Sequence, residues 1–368
     1  MMKKSLLALG AFAAAQGALA QSSVTVFGVL DTSVIHAEGS GPNSGSRTQL
    51  GSSGNSFSRL GFRGTEDLGG GYAAGFWLEA GLQSDTGSGI PTNTNNQISG
   101  IQPGGLAFSR RSTVSLSGPF GELRLGRDYT PTFWNTALFD PFGTGGGIGA
   151  NHLYFVGQGG LGAYIGTRAS NSVGYFLPQN LGGFYGQVMA ASGENVDVDG
   201  QPNVHDGDYV GGRLGWRAGG FDIAGATGRA QYASGDLTLS NLGVAYTFAQ
   251  DAGFAAGLKL MAEYHEDKLG ERDGKGGLLG FKWPVGPGMV KGSYAYYERD
   301  AAPGATQGQL ASSKLALGYE YFLSKRTSLY ATVARIHNDD GTSDSLGGVP
   351  TTAGRPATGT EFGITHVF

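Results

Sequence analysis

The chain has 368 residues, with 25 Lys and Arg against 29 Asp and Glu, 68 Gly, 11% aromatic residues and no Cys. The absence of cysteine excludes a disulfide-stapled scaffold, and the acidic balance argues against nucleic acid as a partner. Outside the first twenty residues no stretch approaches roughly 18 consecutive apolar residues, so insertion into a bilayer would require a closed β-barrel.

Residues 1–20 read as an export signal. Lys3 and Lys4 form a basic start, Leu6 to Ala15 an apolar stretch too short to span as a helix, and Ala18-Leu19-Ala20 a small-residue cleavage site. Removing these 20 of 368 residues leaves 348, and without Lys3 and Lys4 the basic residues fall from 25 to 23 against 29 acidic, a net charge of −6. No linker or compositional break divides residues 21–368, which read as one large sheet.

Along that region sixteen candidate strands of roughly 8–12 residues can be placed, long enough to cross a bilayer at a tilt. Turn chemistry marks short connections at 67–71, 118–121, 179–183, 217–220, 250–253, 285–288 and 323–327. Polar stretches at 35–56, 83–106, 129–167, 192–208, 231–236, 266–275, 299–312 and 338–359 alternate with them. Alternating short turns and long loops, with both termini on the short-turn side, predict an all-β, sixteen-stranded antiparallel transmembrane barrel.

The strand faces support this. In 209–217 Val210, Leu214 and Trp216 share one side and Tyr209, Arg213 and Arg217 the other; in 257–265 Leu258, Leu260, Ala262 and Tyr264 oppose Lys259, Glu263 and His265. In 313–321 Leu315, Leu317, Tyr319 and Tyr321 oppose Lys314 and Glu320. Ionised groups on so many inner faces require water inside, because dry burial of unpaired charge costs several kcal/mol each. Aromatic residues cluster at strand ends, as at 294–297 and 319–322, where headgroups would meet them. The seventh strand and 330–335 alternate weakly. The last segment, TEFGITHVF at 360–368, alternates to its final residue, so Phe368 is expected to close the last strand on the first, 24–30.

Motifs for other chemistry are weak. GQGGLG at 157–162 fits a dinucleotide-binding pattern but lies in a polar loop without strand-to-helix context, and reads as loop glycine. The acidic run 194–200 with Asp206 and Asp208 lacks a full calcium-ligand series and reads as a solvated loop. The six histidines show no metal-ligand spacing; His265-Glu266 has no second histidine four residues from the first. Neither a metal nor a cofactor is called for, and an enzyme is not expected.

The segments 21–31, 58–69 (SRLGFRGTEDLG) and 108–130 (FSRRSTVSLSGPFGELRLGRDYT), with terminal Phe368, resemble Gram-negative general porins of the β-proteobacterial type, and the likeness covers all of 21–368. It implies a homotrimer in the outer membrane, surrounded by lipid and lipopolysaccharide. Each barrel would hold a water-filled pore for passive diffusion of small hydrophilic solutes and ions, narrowed by an inward-folded third loop, 129–167. It also implies that RLGFRG, GRDY and TRASNS supply the positive wall of the constriction through Arg59, Arg127 and Arg168, that the third loop supplies the acidic side, and that Phe368 resembles the signal recognised during outer-membrane assembly.

From alternation, Arg63 shares the face of Arg59, and Arg111 that of Thr113 and Ser115. The only carboxylates from 128 to 167 are Asp128 and Asp140. Asp140 is the candidate acid of the constriction, and arginines facing so few acids predict an anion preference despite the negative net charge. The plainer reading of each arginine is a lumenal residue paired with Glu79 or Glu122. A solute-specific channel and a surface adhesin are the alternative functions.

Overall fold

The computed structural model describes residues 23–368 apart from 144, 153, 156–164, 303 and 305–307; the export signal and the glycine motif at 157–162 lie outside the described residues. The strands in chain order are β1 (Ser23–Gly39), β2 (Ser46–Ser52), β3 (Arg59–Gly69), β4 (Tyr72–Gly81), β5 (Thr92–Asn93), β6 (Ile101–Gln102), β7 (Arg111–Gly118), β8 (Gly121–Tyr129), β9 (Arg168–Phe176) and β10 (Phe184–Ala191). There follow β11 (Tyr209–Ala218), β12 (Phe221–Ala230), β13 (Leu237–Thr247), β14 (Lys259–Leu269), β15 (Arg272–Val285), β16 (Gly288–Asp300), β17 (Gln309–Phe322), β18 (Thr327–Asn338) and β19 (Ala357–Val367).

β5 and β6 form a small separate hairpin, while β2 and β3 are two parts of one staff, both paired with β1. The remaining arrangement is a sixteen-staff antiparallel barrel, closed where β1 meets β19 from Val29↔Val367 to Gly39↔Ala357. Gly28 and Phe368 extend this seam by two backbone hydrogen bonds, 3.0 and 3.1 Å. Closure leaves no unpaired edge for lipid to face.

Side-chain exposure follows the period of two. Val210, Leu214, Leu260, Leu315 and Leu317 are exposed on the outer surface, whereas Tyr209, Glu263, His265 and Lys314 are buried inside. The weakly patterned strands resolve the same way: Val188 points out and Met189 in, and Leu329 and Val333 point out while Tyr330 and Ala334 point in.

Two expected loops are largely strand. The stretch 35–56 holds the end of β1, a turn at 40–45 and β2; the chain then breaks from the staff at 53–58 before β3. Buried Asp31 causes the break, accepting hydrogen bonds from the backbone N–H groups of Gly54 (2.9 Å), Asn55 (3.1 Å) and Ser56 (2.8 Å). The stretch 266–275 is a tight hairpin between Leu269 and Arg272. There the strands continue past the apolar belt into water, so their charges remain exposed, as in the Lys268–Asp273 (3.7 Å) and Lys275–Glu298 (2.9 Å) pairs. Polarity signals contact with water, which is not the same as the end of a strand.

The third loop begins with a helix, Pro131–Phe139, with Pro at its start and the Thr130 hydroxyl accepting from the Phe133 N–H. Its polar side is turned to the inner wall. Asn135 Nδ2 donates to Ala224 O and Asn241 Oδ1, both 2.8 Å, and Thr136 Oγ1 donates to Glu263 Oε1 at 2.9 Å. Phe139 lies on Gly243, where a Cβ would come within 2.0 Å of its ring. Farther along, Ile148 N donates to Glu361 Oε2 (3.0 Å), Asn151 Nδ2 to Ser293 Oγ (3.1 Å) and Lys314 Nζ to Ala150 O (2.8 Å). The loop therefore lies against inward-facing side chains from β12 round to β19.

Candidate functional site: an arginine-lined wall

Opposite these anchors, β3, β4, β7, β8 and β9 bring arginines together. Arg110 Nε lies 2.5 Å from Glu79 Oε1, and Arg59 Nε lies 3.8 Å from the same oxygen. Tyr129 Oη accepts from Arg110 Nη2 at 2.6 Å and from Arg168 Nη2 at 2.9 Å. The guanidinium of Arg168 sits 4.4 Å from the Tyr129 ring centroid and that of Arg110 5.0 Å from Phe57, so the rings hold the cations in place. Two guanidinium groups, those of Arg59 and Arg110, thus share the one carboxylate of Glu79. Among the described residues no carboxylate lies within ion-pair distance of Arg168.

A second group surrounds Trp77, whose ring has Arg63 at 5.2 Å and Arg111 at 4.7 Å. Arg111 Nε donates to Thr113 Oγ1 (3.0 Å) and lies 3.8 Å from Asp128. Arg124 is paired with Glu122 (2.8 Å) and Asp128 (3.0 Å). Here acids answer much of the charge.

Arg127 lies close enough to Arg168 and Tyr129 to feel their charge, but its hydrogen bonds go elsewhere. Its Nε donates to Ser109 O (2.7 Å) and its Nη1 to Asn93 O (3.1 Å) and Ser170 Oγ (2.8 Å), tying the second loop to the strand ends. Asp140 differs from the lumenal acid expected of it. It is 1% exposed, its carboxylate accepting from the backbone N–H groups of Phe142 (2.8 Å) and Asn151 (2.7 Å), and burial pushes its carboxyl above the ordinary carboxylate range. An acid that folds its own loop is not presented to solutes.

Arg110 was missed in the sequence for a physical reason. Adjacent residues of a strand face opposite sides, so Arg110-Arg111 offers one inward arginine only if both belong to the strand. Arg110 precedes β7 and is free of that constraint. The cue was the Arg-Arg pair at the mouth of a strand following a long polar loop.

A closed antiparallel barrel with an apolar outer belt, a charged inner wall and a long loop laid along that wall is an outer-membrane channel. The chain belongs to the Gram-negative porin family, whose model matches residues 5–341. It is 38% identical to outer membrane porin protein 32 of Delftia acidovorans, with 100% of both chains covered. With an outer membrane porin protein of Bordetella pertussis the identity is 30%, covering 90% of this chain and 93% of that one. The structure is similar to that of an anion-selective porin from Comamonas acidovorans, with a TM-score of 0.77, 36% identity, and 95% and 100% of the two chains covered. The protein is an outer-membrane porin of a Gram-negative bacterium and is not an enzyme.

Proposed function

We propose that this porin passes small hydrophilic solutes with a preference for anions, and that the selecting element is the cluster of Arg59, Arg110 and Arg168 about Tyr129. The observation that carries this reading is the sharing of Glu79 by two guanidinium groups, those of Arg59 and Arg110, while Arg168 has only a phenol and its ring. A local positive excess beside low-dielectric walls attracts anions whatever the net charge of the chain. The third loop, fastened to the wall from β12 to β19 and stacked on Tyr129 through Phe133 at 4.9 Å, would narrow the path so that solutes pass within screening distance of the cluster. The anion-selective character of the Comamonas acidovorans porin supports the same reading.

In this reading Arg127 acts indirectly by fixing the second loop, Arg63 and Arg111 add positive charge at the second group, about Trp77, and Asp140 supports the third loop. Phe368 serves as the closing and assembly residue. The outer belt meets lipid, with lipopolysaccharide at the outer rim, and the family likeness supports a homotrimer, which sedimentation of the detergent-solubilised protein would test. The selectivity test is the zero-current potential of the porin in planar bilayers under a KCl gradient. Neutralising Arg59 and Arg168 together should lower the chloride-to-potassium ratio, with Arg127→Gln weaker; an unchanged ratio in the double variant would discard the assignment, and absence of conductance would favour an adhesin.

A further inference from the structure

The helix Pro131–Phe139 is attached in an unusual sense. Its polar Asn135 and Thr136 are buried against the wall, and its other face, Trp134, Ala137 and Leu138, spaced i, i+3, i+4, borders a cavity of about 770 Å³. Tyr185, Arg213 and Arg217 line the facing side. This cavity lies toward the short-turn side of the barrel where β11 ends, and its Trp134 ring lies 5.2 Å from that of Tyr129. Both guanidinium groups lie by the Tyr185 ring, Arg213 at 4.8 Å and Arg217 at 5.4 Å. Their charges are answered differently. Arg217 Nη2 is 2.6 Å from Asp222 Oδ2, whereas Arg213 Nε is bound to the neutral Asn135 Oδ1 at 3.0 Å, and among the described residues Arg213 has no carboxylate within ion-pair distance.

An apolar helix face in a water-filled channel is costly when unoccupied, and a guanidinium whose nearest acid, Asp222, is already paired with Arg217 adds a demand for negative charge. We propose that this cavity is a transit subsite for small monovalent carboxylates carrying an aromatic or branched apolar body, the body resting on Trp134 and Leu138 and the carboxylate directed at Arg213. Simple inorganic anions satisfy only the charge, and neutral aromatic solutes only the apolar face. The combination requires both in one molecule, about one side chain apart. The subsite deepens the anion-preferring reading by naming a solute class, and it rests on that reading for its supply of anions.

Benzoate is the probe, with acetate and benzamide as controls. In planar bilayers, benzoate on the short-turn side should reduce the chloride current saturably, while acetate and benzamide at equal concentration should not. Arg213→Gln and Trp134→Ala should each raise the half-blocking concentration about tenfold, the worth of one charge-assisted or well-buried contact. Arg213→Lys should retain most of the block. Equal block by acetate or benzamide, or block indifferent to both Arg213→Gln and Trp134→Ala, overturns the subsite. The chloride-to-potassium ratio without benzoate reads the anion preference separately, so either proposal can fail while the other stands. Calorimetric titration of benzoate into the detergent-solubilised protein, against empty micelles, applies the same variants without requiring conduction.

Discussion

Tyr129 and Arg168 face each other as cross-strand partners where β8 releases the third loop and β9 receives it, and Arg168 donates to the Tyr129 hydroxyl at 2.9 Å. The pair that ends the loop is also the centre of the arginine cluster. Loop closure and charge placement are therefore one structural event, and a substitution at either residue tests both.

Arg168→Gln keeps a donor for Tyr129 and removes the charge. At low salt the chloride-to-potassium ratio should fall about fivefold, the Boltzmann equivalent of about 1 kcal/mol between unit charges 4 Å apart in water. Near 1 M salt, where the screening length shrinks to about 3 Å, the difference from wild type should nearly vanish. Zero-current potentials at both salt levels check this; equal effects at high and low salt would mean that the residue acts through pore shape.

Asp31 supports the break in the second staff. Besides three backbone N–H groups it accepts from Tyr330 Oη (2.6 Å) and Thr365 Oγ1 (2.7 Å). Asp31→Ala leaves these buried donors without their acceptor and should cost roughly 3 kcal/mol or more, since lost hydrogen bonds to charged groups are among the most damaging. Urea unfolding in lipid vesicles measures it, and a midpoint equal to wild type would contradict the role given to Asp31.

His152, in the third loop, is buried with its ring 5.4 Å from Phe133 and 6.1 Å from Phe57, and burial lowers its pKa to about 3. Between about 3 and the ordinary histidine value of 6.5 the unfolded chain binds a proton that the folded loop excludes, so this contribution to stability is lost as pH falls through that window. Asp140, raised by burial, acts in the opposite sense: its contribution is present in acid and is lost as pH rises above the ordinary carboxylate value. His152→Phe should retain the ring packing and flatten the decline between pH 7 and pH 4, as read by thermal unfolding; parallel curves for variant and wild type would assign the decline elsewhere.

The seam depends on glycine. A Cβ on Gly28 would lie 2.3 Å from Phe368 Cζ and 2.7 Å from Arg59 O. Gly28→Val should reduce the fraction of folded, heat-modifiable barrel more than Phe368→Ala, which keeps the two backbone bonds. Equal folding of Gly28→Val and wild type would show that the ring of Phe368 has no fixed place in closure.

The barrel was legible because its signals repeat. Each outward Leu or Val and each inward charge reports the same period of two, and Phe368 reports it to the final residue. The site was legible in part. Arg59 and Arg168, named from the porin likeness, both lie near Tyr129, but Arg110 lies just outside the strand whose alternation would have placed it, and Arg127 is bound to carbonyls and a hydroxyl that no spacing reveals. Asp140 misled because a solitary acid in a glycine-rich loop looks available, whereas its backbone partners at 142 and 151 come together only in the folded loop.

The third-loop helix is fastened through Asn135 and Thr136, so the residues that hold it are not those that passing solutes meet. Folding and selection thus draw on separate sets of side chains along one turn and a half of helix. Position 137 can change in size and polarity while the fastening stays intact, which gives this barrel a point on which descendants could acquire new diets without relearning how to fold.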